Sequence, residues 1–168
     1  SFNYILVLET TKITIMKNVF LFTFLTIALA FSTELTAQKF SGLDKSPADI
    51  ASYPASYRVS DKSVRVIYSR PQLKGRSLAE LAPSGKVWRT GANESAVITF
   101  YKNATVGGKS VEAGTYSLFT IPGDEEWTVI LNSNLNQWGA YSYDSDADVA
   151  RITAKASSND ESLEAFSI

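Results

Sequence analysis

The stretch KVWRTGANES, Lys86–Ser95, gathers Trp88, Arg89, Asn93 and Glu94 around a glycine. A guanidinium fork grips anions, an amide both donates and accepts, a carboxylate accepts, and an indole offers a flat apolar face. Such a set could line a polar pocket in which Arg89, Asn93 and Glu94 converge on a small anionic or hydroxylated ligand. It could also be scaffold, the commoner arrangement: Trp88 anchored in the core, Asn93 capping a turn at Gly91, and Glu94 paired with Arg89 or Arg70.

A second set lies in Asn132–Tyr143, where three asparagines and Gln137 alternate with Trp138, Tyr141 and Tyr143. Trp138 and Tyr141 could stack on the C–H faces of a carbohydrate while the amides bond its hydroxyls. The competing arrangement has Trp138 plugging one end of the fold and the asparagines serving turns. A third set, Asp144, Asp146 and Asp148, has the alternation of the first half of a calcium loop. The rest of that motif fails, because Val149 stands where glycine is required and Lys155 where a bidentate glutamate belongs. A solvated loop before a strand is the expectation there, with no metal site.

The chain holds no histidine and no cysteine. That excludes Ser-His-Asp and Cys-His nucleophile systems, histidine-held zinc, copper or haem, and dithiol chemistry. Gly107-Gly108 has no lysine-serine pair behind it and sits between strands, so no phosphate loop and no cofactor is implied. A carboxylate-pair carbohydrate-active enzyme could still be built, with Glu94 and Asp144 the nominated pair. The formal net charge of -1 gives no footprint for nucleic acid. No signal for an oligomeric state is present.

These residues need elements to position them, and the apolar period along most of the chain is close to two. Ser63–Tyr68, Ala96–Tyr101, Thr115–Ile121, Glu126–Leu131 and Val149–Ala154 are rich in β-branched and aromatic residues and predict strands. Gly107-Gly108 predicts a tight hairpin and Pro122-Gly123-Asp124 another reversal. The only helical hint is Gly75–Leu81, a single turn before Pro83. The expected fold is therefore all-β, an antiparallel β-sandwich or partly open barrel in one domain over residues 57–168. Residues 38–56, with Pro47 and Pro54, predict a linker or an ordered arm.

At the N-terminal side the first methionine is Met16, so residues 1–15 are expected to be upstream translated sequence. Residues 16–37 have the order of a signal peptide: Lys17, an apolar run over Val19–Phe31, and a small residue, Ala37, before the expected cut. The run is shorter than the roughly 18 residues of a spanning helix. Export to the periplasm or outside the cell is thus expected, with no membrane span once the signal helix is removed. At the other end Ser162–Ile168 alternates like the beginning of a strand, so the domain is expected to be incomplete there.

Longer motifs carry a resemblance. Gly85–Glu94 (GKVWRTGANE), Ala113–Gly123 (AGTYSLFTIPG), Trp127–Asn132 and Gln137–Asp144 (QWGAYSYD), with Tyr68-Ser69-Arg70-Pro71 upstream, resemble an uncharacterised domain-of-unknown-function family of small exported proteins from Gram-negative bacteria. The likeness runs from about Val64 to Ile168 and brings no known activity with it. It implies further strand beyond Ile168. A cell-envelope binding or structural module is the leading expectation, with carbohydrate or another small polar ligand as partner and Arg89, Asn93, Glu94, Trp138 and Tyr141 as its candidate contacts.

Overall fold

The computed structural model describes residues 12, 14–21, 23 and 38–168. The chain divides into two units, Ser1–Gly42 and Leu43–Ile168. In the first, the described residues 12, 14–21 and 23 are helical. The proposed cut after Ala37 and most of the expected signal peptide lie outside the described residues. Among the described residues no helix is long and apolar enough to cross a membrane.

The second unit is built from eight strands: β1 (Ala48–Tyr53), β2 (Val64–Ser69), β3 (Ala96–Phe100), β4 (Ala104–Val106), β5 (Lys109–Val111), β6 (Gly114–Ile121), β7 (Glu126–Asn132) and β8 (Asp148–Lys155). Six form one antiparallel sheet in the order β1-β2-β3-β6-β7-β8, and β4-β5 is a separate hairpin. The sheet does not close on itself, since β1 and β8 are its two ends. This is the expected all-β antiparallel architecture, a sandwich or open barrel.

Period-two patterning sets the core. Val66 and Tyr68 of β2, Ala96 and Phe100 of β3, Leu118 of β6, Leu131 of β7, and Ala150 and Ile152 of β8 all point to one face and are buried there. The β4-β5 hairpin folds over that face, delivering Val111, which is fully buried. Its turn needs Gly107, because a Cβ at that position would run into Ile152. Only glycine permits the hairpin tip to lie directly on β8.

Two expectations change. The segment 38–56, expected as linker or arm, contains β1, which pairs along its whole length with β2. Pro47 and Pro54 bracket the strand rather than marking a linker, and its polar Asp49 and Ser52 suit a sheet edge. The alternating segment Ser162–Ile168 is not a strand: it makes one bridge, Gln72 with Ala165. Its apolar residue Phe166 is instead wedged edge-on against Tyr68 and Trp88, with ring centroids 5.6 and 5.0 Å apart. The short helix is as expected, one turn over Leu78–Leu81 closed by a Ser77/Glu80 capping box.

Candidate functional site

The KVWRTGANES motif is a strand interrupted by a loop. Trp88 exchanges both backbone hydrogen bonds with Thr120 on β6, at 2.7 and 2.9 Å, in line with where β3 pairs further along. The Ala96 amide then donates to the Arg89 carbonyl at 3.0 Å. Thr90–Ser95 is therefore an excursion out of a continuing strand line, closed at its base by that bond.

The excursion is conformationally demanding. Thr90 has φ of 54° and Asn93 of 61°, both in the left-handed region. Asparagine tolerates this; a β-branched threonine does so only when its surroundings hold it there. Thr90 is buried, and its hydroxyl lies 3.2 Å from that of Thr120 and 3.4 Å from the Trp88 carbonyl. Gly91, at φ of 153°, passes so close to β2 that a Cβ would stand 2.9 Å from the Ser69 carbonyl oxygen.

A second loop, from β7 to β8, zips onto the first. The Ser95 amide donates to the Gln137 carbonyl at 2.9 Å, and the Gly139 amide donates to the Asn93 carbonyl at 3.1 Å. Below them the Ser95 hydroxyl donates to that of Ser117, which donates to the Asn134 carbonyl at 2.7 Å. Glu94 and Trp138 become antiparallel neighbours in this pairing.

Beside the paired loops is a cavity of about 350 Å³ on the outward face of β2 and β3. Its floor combines the aliphatic Ala48, Ile67 and Val97 with Tyr68, Ser69 and Ser95. Its walls are Asn93, Glu94, Trp138 and Asp44. Trp138 keeps 63 % of its surface exposed, and Glu94, also exposed, makes no ion pair among the described residues. The Asp44 carboxyl sits below the usual carboxylate range because the Ser46 amide, at 2.7 Å, and then the Asn93 side chain bond its charged form.

Of the candidate contacts named from sequence, Asn93, Glu94 and Trp138 meet at this cavity, whereas Arg89 and Tyr141 do not line it. Arg89 donates to the Asn93 carbonyl at 3.3 Å, and both it and Tyr141 lie beside Gly139. The expected pairing of Glu94 with an arginine does not form. Arg70 pairs instead with Asp49 at 3.1 Å, because register places Asp49 opposite Tyr68 on the neighbouring strand. Arg70 also donates to the Phe166 carbonyl and the Ser167 hydroxyl, clamping the C-terminal segment.

Glu94 and Asp144 do not share the cavity either. Asp144 caps a short 3-10 turn, its side chain accepting from the Asp146 amide at 2.9 Å. Asp148 is an anchor for the loop. It accepts from the Tyr143 hydroxyl at 2.6 Å, from Arg151 Nε at 2.7 Å and from Asn132 Nδ2 at 2.8 Å. Burial pushes its carboxyl up, but those three donors outweigh it and hold it below the ordinary value. Burial, then the bond to Asp148, raises the Tyr143 phenol. Among the described residues, no group of acidic side chains is placed to hold a metal ion.

A family model described as a protein of unknown function, DUF2911, matches residues 46–168. The chain belongs to that family. No curated protein and no solved structure matches it. The DUF2911 span takes in both loops, the cavity floor and three of its walls, and leaves out Asp44. Asp44 is also the wall residue that sequence reasoning missed, since it stands in what reads as a polar arm.

Proposed function

We propose that this DUF2911 domain is a binding module, and that its ligand is a small polar molecule seated between Trp138, Asn93 and Glu94. One observation carries the reading: a large indole is left mostly in water at the rim of a cavity, on a loop fixed by backbone bonds to a second loop. An exposed aromatic on a fixed loop favours ligand contact, because little backbone freedom of the loop remains to be lost on binding. The cavity volume, at the small end for ligand sites, suits a single headgroup or monosaccharide-sized molecule. Carbohydrate fits the stacking face and the amide. An anion does not, since the cavity walls carry two carboxylates and no lysine or arginine.

The cell envelope is the proposed location, resting on the order of Lys17, the apolar run and Ala37 at the N-terminal side. The test of the site is a panel of soluble glycans and small polar molecules against the parent and Trp138→Ala. A bound ligand that Trp138→Ala loses, at an unchanged denaturant midpoint, is the expected result. Ligands retained in full by Trp138→Ala would remove the cavity from consideration.

A further inference from the structure

The walls of the cavity carry more information than their polarity. Asp44 and Glu94 bring two carboxylates to a space lined by the aliphatic Ala48, Ile67 and Val97, with Tyr68, Ser69 and Ser95 beside them. Neither carboxylate has an ion-pair partner among the described residues. Negative charge with no ion-pair partner, beside aliphatic side chains and an open indole, gains no counter-charge from a neutral sugar. It is a good match for a positive charge sheathed in alkyl groups. The indole face attracts such a cation through its quadrupole, the carboxylates supply the counter-charge, and the methyl or methylene groups rest on the aliphatic part of the floor.

We infer that the ligand of this site is an organic cation, a quaternary or alkylated ammonium group gripped by Trp138, Glu94 and Asp44. The inference rests on the proposed binding site and names its chemistry. Asp44 remains ionised at neutral pH, since its charged form is the one its neighbours bond. The ammonium could be free in solution or borne on a lipid headgroup; the recognition chemistry is the same.

The test uses choline and its neutral carbon isostere, 3,3-dimethylbutan-1-ol, titrated against the protein while the tryptophan indole N–H resonances are followed by NMR. Phosphatidylcholine vesicles provide the headgroup-borne arm, with phosphatidylglycerol vesicles as control. Choline, in one form or the other, should shift the Trp138 resonance and bind at least about ten-fold more tightly than the isostere. Affinity should fall about ten-fold in Trp138→Ala and several-fold in Glu94→Gln and Asp44→Asn, and should weaken with added salt. Retained backbone spectra in the three variants would separate lost binding from lost folding. Equal affinity for choline and the isostere would overturn the cation assignment. A neutral glycan that binds through Trp138 while choline does not would overturn it too and leave the binding module standing. If no cation and no glycan moves the Trp138 resonance, both fall.

Discussion

Asp148→Asn is the substitution that tests how the site's second loop is held. The Asp148 side chain is 8 % exposed and serves three side-chain donors, with Arg151 the most solvated of them at 46 %. An amide keeps the shape but turns one acceptor oxygen into a donor, so either the Tyr143–Arg151 side or fully buried Asn132 faces a donor across the contact. A hydrogen bond to a charged group is worth about 1.5–3 kcal/mol, and a buried group left unpaired costs about 1–3 kcal/mol. The exposed Arg151 arm is screened and contributes little. The sum is a loss of about 2–4 kcal/mol, or a drop of about 1–2 M in the urea midpoint for a domain of this size. Because the folded-state carboxyl is lowered, its stabilisation is present above the unfolded value of about 3.9 and is lost as pH falls through the still lower folded value. The gap between parent and variant should therefore be full at pH 7 and shrink below about pH 4. Urea titrations at pH 7, 5 and 3.5 measure it. Equal midpoints at pH 7, or a gap unchanged at pH 3.5, would refute the assignment of Asp148 as an ionised anchor.

Three further outcomes are expected. Trp88→Ala, removing an indole 6 % exposed and packed edge-on against Phe166 and Trp127, should cost about 3–5 kcal/mol by denaturant midpoint; a loss under about 1 kcal/mol would mean the ring is not in the core. Glu94→Gln should leave the midpoint within about 0.5 kcal/mol of the parent, as the carboxylate is exposed and unpaired, and a larger loss would restore the arginine pairing. Expressed from Met16 in a Gram-negative host, the protein should reach the periplasm with Gln38 as its first residue; an intact mass that keeps residues 16–37 would contradict cleavage.

Strands β2 and β8 are legible in the sequence because the alternation Val64-Val66-Tyr68 or Ala150-Ile152 is one-faced burial written out, while central β6 and β7 bury residues on both faces and read as continuous β-rich runs. β1 is hidden for the complementary reason. It is an edge, its large apolar residues Ile50 and Tyr53 are exposed, and its partner is found only once β2 is in place. Ser162–Ile168 misleads in the other direction, since its spaced apolar residues read as a strand although only Phe166 is anchored among the aromatic rings of the core. Of the residues singled out by type, Asn93, Glu94 and Trp138 come to one cavity, because they lie on two loops that register brings together. Ion pairing could not be inferred from proximity along the chain. Arg70 and Arg89 stand nearest Glu94 among the arginines of the motifs, yet Asp49, on a different strand, takes Arg70.

The bond from the Ala96 amide to the Arg89 carbonyl separates what the motif does for the sheet from what it does for the cavity. With its ends pinned by a 3.0 Å bond, and with Thr90, Gly91 and Ser95 held by their surroundings, only Ala92–Glu94 at the tip is left free to vary while the strand line on either side stays in register. A chain that keeps the tryptophan and the base of the loop but alters the tip would hold the same scaffold around a differently walled cavity. The tip residues and the matching Gln137–Gly139 segment then form one exchangeable unit, since the Ser95–Gln137 and Gly139–Asn93 bonds tie the two loops together.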